Sequence, residues 1–337
     1  MTPDPDDLRA QARLDWARTA SGDHALRLAR ASTDAGFRSY WRATGTDGAT
    51  TIVMDSPPDK EDVRPWLRVL ALLAGGGVRV PAVLARDTGQ GFLLLEDLGM
   101  DTLLQVVDAG NADAHFDAAI GQLLRLQAIP APADLPRYDE ALLQRELRLF
   151  DAWFLARHLG AALGDDDHQA LDSVYRTLIA SALGQPQVLV HRDFMPRNLM
   201  PVAGGPAVLD FQDAVAGPVA YDAISLFKDA FLSWPAARVD AWLAGYHARA
   251  RAAGVPVPAA LAQFRRDADL IGVQRHLKVL GIFARLKHRD GKPKYIADAP
   301  RFLAYLDDVV PRYPELAPLS GVLDRHVRPA LAAATQP

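Results

Sequence analysis

His191-Arg192-Asp193-Phe194-Met195-Pro196-Arg197-Asn198, followed by Val208-Leu209-Asp210-Phe211-Gln212, is the stretch from which the rest of the sequence is read. Asp193 is a carboxylate suited to orient an acceptor hydroxyl and take its proton. Asn198 and Asp210 offer the hard oxygen ligands that Mg²⁺ prefers. Between them lie Leu199-Met200-Pro201-Val202, a turn at Ala203-Gly204-Gly205-Pro206, and Ala207-Val208-Leu209, which together read as a hairpin. Centring that hairpin near Gly204 puts Asn198 opposite Asp210, so its folding would build a metal site. Base, amide, hairpin and second carboxylate, in that order, are the groups that phosphoryl transfer from ATP with Mg²⁺ requires. His-x-Asp alone says little. A second triplet, His288-Arg289-Asp290, is followed by Tyr295 where the amide would stand, and it reads as a solvated turn before Gly291-Lys292-Pro293.

Composition fits an enzyme of this kind. A chain of 337 residues, 50% of them hydrophobic, is long enough for two lobes and a sizeable core. A net charge of −4 leaves no electrostatic footprint for nucleic acid. The absence of cysteine excludes disulfides, zinc–thiolate sites and thiol catalysis. The acidic start, Met1 to Asp7, is unlike a signal peptide, and no apolar stretch is long enough to span a membrane. The expectation is a cytoplasmic protein whose partners are small molecules, with no obligate protein partner.

Hydrophobic spacing divides the chain. Asp6–Thr19 has helical period. Leu26–Arg30, Phe37–Arg42 and Thr51–Met54 read as three antiparallel strands, Glu61–Leu73 as a helix ended by Gly75-Gly76-Gly77, and Ala82–Arg86 and Gly91–Leu95 as two more strands. Glu96-Asp97-Leu98-Gly99 breaks the apolar run like a hinge. Beyond it, helices are expected at 113–129, 138–158, 166–183, 219–231, 235–252, 258–286 and 301–310, interrupted by the hairpin region 188–210. The Ala-rich end, Pro329 to Pro337, reads as a frayed tail. The expected fold is α+β and bilobal: a β-rich lobe over residues 1–96 for the nucleotide, and a helical lobe over 97–337 for the catalytic loop, metal and acceptor.

Over nearly its whole length the chain resembles the aminoglycoside phosphotransferase and choline kinase superfamily, whose fold is protein-kinase-like. The signature His-x-Asp-x-x-x-x-Asn falls on His191, Asp193 and Asn198, and the metal-binding aspartate on Asp210. Four further motifs are similar to one branch, the bacterial anomeric kinases of N-acetylmuramic acid and N-acetylglucosamine. They are Phe37-Arg38-Ser39-Tyr40-Trp41-Arg42, Ile52 to Pro58, Asp210-Phe211-Gln212-Asp213-Ala214, and Gln274 to Phe283. The resemblance implies transfer to the sugar's anomeric hydroxyl in cell-wall sugar recycling. It also implies that Asp222 braces the catalytic loop. An aminoglycoside or other amino-alcohol phosphotransferase, and a non-catalytic nucleotide-binding protein, are the competing readings.

Each remaining residue has a plain reading beside the functional one. Arg197 either contacts the transferred phosphate or is solvated. The loop Ser32–Gly36 sits where a phosphate-covering loop belongs; it has only Gly36, so contact would come from backbone N–H groups and the hydroxyls of Ser32 and Thr33, and otherwise it is an ordinary turn. Strand three has Met54 and no lysine for the phosphates. Arg38 and Arg42, four residues apart on strand two, are the candidate substitutes, against a reading as solvated arginines. Glu96 and Leu98 fall at the hinge, where adenine would meet the backbone. On the acceptor side Asp213, Gln274, Arg275 and Lys278 are candidates, with Arg275 suited to a lactyl carboxylate; each is equally readable as structural.

Overall fold

The computed structural model describes residues 5–32 and 37–334. The chain divides into two compact units: Met1–Val106 with Asn198–Gln212, and Val107–Arg197 with Asp213–Pro337. This differs from the expected boundary at 96/97. The hairpin assigned to the helical lobe groups instead with the sheet, and the reason is local: its Val208 N–H donates to the Arg79 carbonyl at 2.8 Å.

In the first unit, helix α1 (Pro5–Ser21) precedes strands β1 (Arg27–Ser32), β2 (Ser39–Thr44) and β3 (Thr50–Asp55), then α2 (Arg64–Gly75), β4 (Val83–Asp87), β5 (Phe92–Glu96) and the single turn α3 (Leu103–Val106). The strands form one antiparallel sheet in the order β1-β2-β3-β5-β4. Ala43 and Val53 of the sheet bury against Leu94, Leu26 and Ala17 of α1. Arg9 and Arg13 of α1 both reach the buried Asp55 at the end of β3, at 2.6 and 2.8 Å. Helix α2 starts later than its acidic approach suggests, because Pro65 occupies its first turn, and it buries Trp66, Val69 and Leu73 at helical spacing.

The second unit is helical around one central element. Helices α4 (Ala112–Ala128), α5 (Glu140–Leu149) and α6 (Asp165–Gly184) lead to strand β6 (Gln187–Val190). The hairpin of the first unit, β7 (Leu199–Met200) and β8 (Ala207–Val208), comes next in sequence, and β9 (Val215–Pro218) returns to pair antiparallel with β6. Then follow α7 (Tyr221–Phe227), α8 (Ala236–Ala252), α9 (Leu261–His288), α10 (Ala299–Val309), α11 (Ala317–Val322) and α12 (Arg328–Ala334). Helix α9 is buried almost continuously from Asp267 to Ala284, so it is the core helix of the unit. It comes so close to the end of α5 that a Cβ on Gly281 would lie 2.4 Å from the Leu149 carbonyl carbon.

Three expectations need correction here. The helix expected over 138–158 turns π-helical at Phe150–His158. Strand β9 was hidden by its Gly217-Pro218 ending, which reads as punctuation. Of the tail expected to fray, Pro329 to Pro337, the described part up to Ala334 is helical. No helix among the described residues is long and apolar enough to cross a membrane.

Candidate active site

The loop after β6 is held by buried charge. Asp222, at the start of α7 and fully buried, accepts from the His191 N–H at 2.7 Å and the Arg192 N–H at 3.0 Å. These two bonds fix Arg192 at φ 76°, a left-handed conformation that an arginine adopts only when its surroundings impose it. Asp193 follows at once. Its N–H donates to His191 Nδ1 at 3.2 Å, and its carbonyl accepts from the Met195 N–H at 2.9 Å. The Arg192 guanidinium runs to Glu146 of α5 at 2.6 Å. Glu146 also pairs with Lys278 of α9 at 3.1 Å and accepts from the Tyr138 hydroxyl. Gln274 donates to it at 3.3 Å, and Lys278 reaches the Tyr221 hydroxyl at 3.0 Å. One carboxylate thus gathers two cations, a phenol and an amide from three stretches of chain.

Electrostatics follow from this geometry. Burial alone would raise Glu146, but Lys278 and Arg192 outweigh it and hold the carboxyl below its ordinary value. Asp222 has no ion pair to a lysine or arginine among the described residues. Burial pushes it up to about 6, against the pull of His191 and the two amides.

In the first unit the β7–β8 hairpin pairs Leu199 with Val208 and Met200 with Ala207. Asn198 therefore faces Leu209, whose N–H donates to the Asn198 carbonyl at 2.9 Å, and not Asp210. The turn is centred half a residue before the expected position, which shifts the register by one. Asp210 compensates by leaving the strand at φ 62°, with its Oδ1 accepting from Gln212 Nε2 at 2.8 Å. Phe211 packs on Trp66 of α2 with ring centroids 5.0 Å apart, which anchors the segment. An amide oxygen and a carboxylate suit Mg²⁺. No group of three or more His, Asp or Glu able to hold a metal occurs among the described residues. Mg²⁺ commonly takes one or two protein ligands and completes its shell with phosphates and water.

The candidates for the nucleotide side are tied up to different degrees. Arg42 donates twice to Asp97, at 2.6 and 3.0 Å, and to the Gly99 carbonyl at 2.8 Å, so it fastens β2 to the segment after β5. Among the described residues Arg38 meets only Glu61, at 3.3 Å, and its buried Nη1 has no hydrogen-bond partner. Met54 is fully buried. The Glu96 carboxylate is paired with Arg79 and accepts from the Ala82 N–H at 3.1 Å, so this side chain braces the end of β5. Leu98 is half-buried and Ser32 exposed. Thr33 and Gly36 lie outside the described residues.

The candidates for the acceptor side are not a surface. Gln274, Arg275 and Lys278 are 0%, 2% and 7% exposed. The first and last belong to the Glu146 network. Asp213 is exposed, and its carbonyl meets Arg192 Nη1 at 3.5 Å. Arg197 is exposed, with its guanidinium 5.2 Å from the centre of the Phe231 ring. Sequence reasoning missed Glu146, although a signal was present: it stands between Leu143 and Leu147 on the apolar face of α5, where a carboxylate needs buried partners.

Comparison with known proteins gives the family and the fold. Residues 27–264 match the family model described as the phosphotransferase enzyme family. The chain is 52% identical over 308 residues to an N-acetylmuramate/N-acetylglucosamine kinase of Pseudomonas putida, covering 91% of this chain and 89% of that protein. It is 53% identical over 296 residues to the protein of the same name from Pseudomonas aeruginosa, covering 88% and 87%. Among solved structures, ADP-bound aminoglycoside phosphotransferase APH(2'')-Ib superposes with a TM-score of 0.58 at 14% identity, covering 87% of this chain and 97% of that one. At that identity the likeness shows the fold, which is kinase-like.

Proposed function

We propose that this chain, which belongs to the phosphotransferase enzyme family, transfers the terminal phosphoryl group of ATP to the anomeric hydroxyl of N-acetylmuramic acid or N-acetylglucosamine, giving the sugar 1-phosphate. The observation that carries the reading is the identity of 52% and 53%, over about nine-tenths of the chain, to two proteins named for these two sugars. Aminoglycoside recognition has only the fold-level likeness behind it.

Asp193 orients the attacking hydroxyl and takes its proton as the new P–O bond forms and the bond to the leaving ADP breaks. Phosphoryl transfer passes through a loose transition state, so most of what Asp193 contributes is positioning. That explains why so much buried charge is spent on holding Arg192 and the backbone beside it. Asn198 and Asp210 would hold Mg²⁺, which would supply positive charge to offset that of the phosphates. Arg38 is the cation that stands in for the absent strand-three lysine, because Arg42 is already committed to Asp97. ADP release measured with N-acetylmuramic acid, N-acetylglucosamine, kanamycin and choline tests the reading. Turnover is expected with the two N-acetyl sugars; turnover confined to kanamycin or choline would refute it.

A further inference from the structure

Of the two acceptor sugars, N-acetylglucosamine is neutral and N-acetylmuramic acid carries a lactyl carboxylate. A site that takes both needs a cation able to pair with the carboxylate of one and to stay hydrated beside the other. Such a cation must be open to solvent, uncommitted to a buried carboxylate, and near the base. Arg275, expected from the sequence to meet the carboxylate, is 2% exposed. Arg192 and Lys278 are both committed to the buried Glu146, at 2.6 and 3.1 Å. Withdrawing either would leave charge short of a partner in the interior, which is costly.

Arg197 meets all of these conditions. It stands in the catalytic loop four residues after Asp193 and is exposed. The backbone between them is compact: the Met195 N–H donates to the Asp193 carbonyl at 2.9 Å, and a 3₁₀ turn begins at Pro196. Among the described residues the Arg197 guanidinium makes no hydrogen bond or ion pair; it lies 5.2 Å from the centre of the Phe231 ring. Phe231 is itself held in place. The carboxylate of Asp229, 0% exposed, accepts from the Phe231 and Leu232 N–H groups at 2.9 and 3.1 Å. The Phe231 ring rests against Phe283 of α9, with centroids 6.5 Å apart. A ring under a guanidinium orients the cation and leaves its N–H edge for a planar, bidentate anion.

We propose that Arg197 determines specificity for the acidic acceptor: its guanidinium, aimed by Phe231, pairs with the lactyl carboxylate of N-acetylmuramic acid and stays hydrated when N-acetylglucosamine is bound. The inference rests on the amino-sugar reading above. It displaces the reading in which Arg197 contacts the transferred phosphate. Phosphate charge is assigned to Arg38 and to the metal held by Asn198 and Asp210, all in the sheet unit, whereas Phe231 and Phe283, which position Arg197, belong with Asp193 to the helical unit.

The experiment compares kcat/KM for N-acetylmuramic acid, its methyl ester and N-acetylglucosamine in wild type, Arg197→Gln, Arg197→Lys and Phe231→Leu. In Arg197→Gln the preference for N-acetylmuramic acid over N-acetylglucosamine is expected to fall about 10- to 100-fold, the loss of a charge-assisted pair. The preference for the acid over its methyl ester should fall with it. Arg197→Lys keeps the charge without the fork and should recover part of both. Phe231 acts through Arg197, so Phe231→Leu should lower the same preferences about 2- to 5-fold, through KM, and add nothing to Arg197→Gln. Equal losses on all three acceptors would mean that Arg197 serves the phosphoryl group, and unchanged preferences that it is merely solvated; either result overturns the assignment. Wild-type protein that turns over neither N-acetyl sugar would instead sink the functional reading on which the inference stands.

Discussion

Asp193, the proposed base, depends for its place on its neighbours. Its place is set by Arg192, whose strained backbone is held by Asp222 and whose side chain is held by Glu146. Asp193→Asn should therefore keep the loop and MgATP affinity while losing ~10²–10⁴ in turnover, the usual contribution of a positioned base. Wild-type turnover at saturating substrate would remove Asp193 from that role. Asp222 gives the pH dependence. Its folded-state pKa of about 6 lies above the ordinary carboxyl value, so between about pH 4 and 6 the folded state binds more protons than the unfolded one. Its contribution to stability is therefore greatest below that window and is lost as pH rises through it. Activity should move the other way, because only the ionised carboxylate accepts both loop amides. Urea midpoints of wild type and Asp222→Asn across pH 4–7 test the first statement: their difference must shift against wild type as pH rises, and a constant difference would contradict it. The two arginines of β2 separate by partner. Arg38→Met should weaken ATP binding and spare adenosine. Arg42→Met should lower thermal stability, since it leaves Asp97 unpaired. Calorimetry showing that only Arg42→Met weakens ATP binding would reverse the assignment.

Elements were legible where their signals were local. The five strands of the sheet and the long helices follow from period and punctuation, and their limits move by a few residues at the ends, as at α2, where Pro65 in the first turn sets the start. The β7–β8 register was read one residue off because Ala203-Gly204-Gly205-Pro206 offers two possible centres, and only the pairing of Leu199 with Val208 decides between them. What could not be read was partnership across long separations. Gln274 and Lys278 read in the sequence as solvated residues of an otherwise apolar helix; they are buried because Glu146, well over a hundred residues earlier, meets α9. The same stretch contains Gly281, whose reason is close packing against Leu149 and not chemistry. Gly281→Ala forces that contact apart and should cost ~1–3 kcal/mol by overpacking. Chemical denaturation would show it; unchanged stability would mean that α5 and α9 can separate there without penalty.

At the scale of the whole molecule, the chain joins a sheet unit bearing the hairpin of the proposed metal ligands to a helical unit bearing the proposed base, with the division falling between Arg197 and Asn198, inside one eight-residue motif. The fold was legible from that motif outward. The acceptor was not: the polar residues of α9 that suggested a site are buried, and the proposed N-acetyl amino sugar comes from the names of the relatives. The account stands on the position that is phosphorylated. A 1-phosphate blocks the reducing end of the sugar, whereas a 6-phosphate leaves it free. The decisive measurement is phosphorus NMR of the product from ATP and N-acetylmuramic acid, followed alongside reducing-sugar content. Coupling of the new phosphorus to the anomeric proton, with reducing sugar consumed in step with ADP release, is the predicted result; a phosphorylated product that retains its reducing end would contradict it.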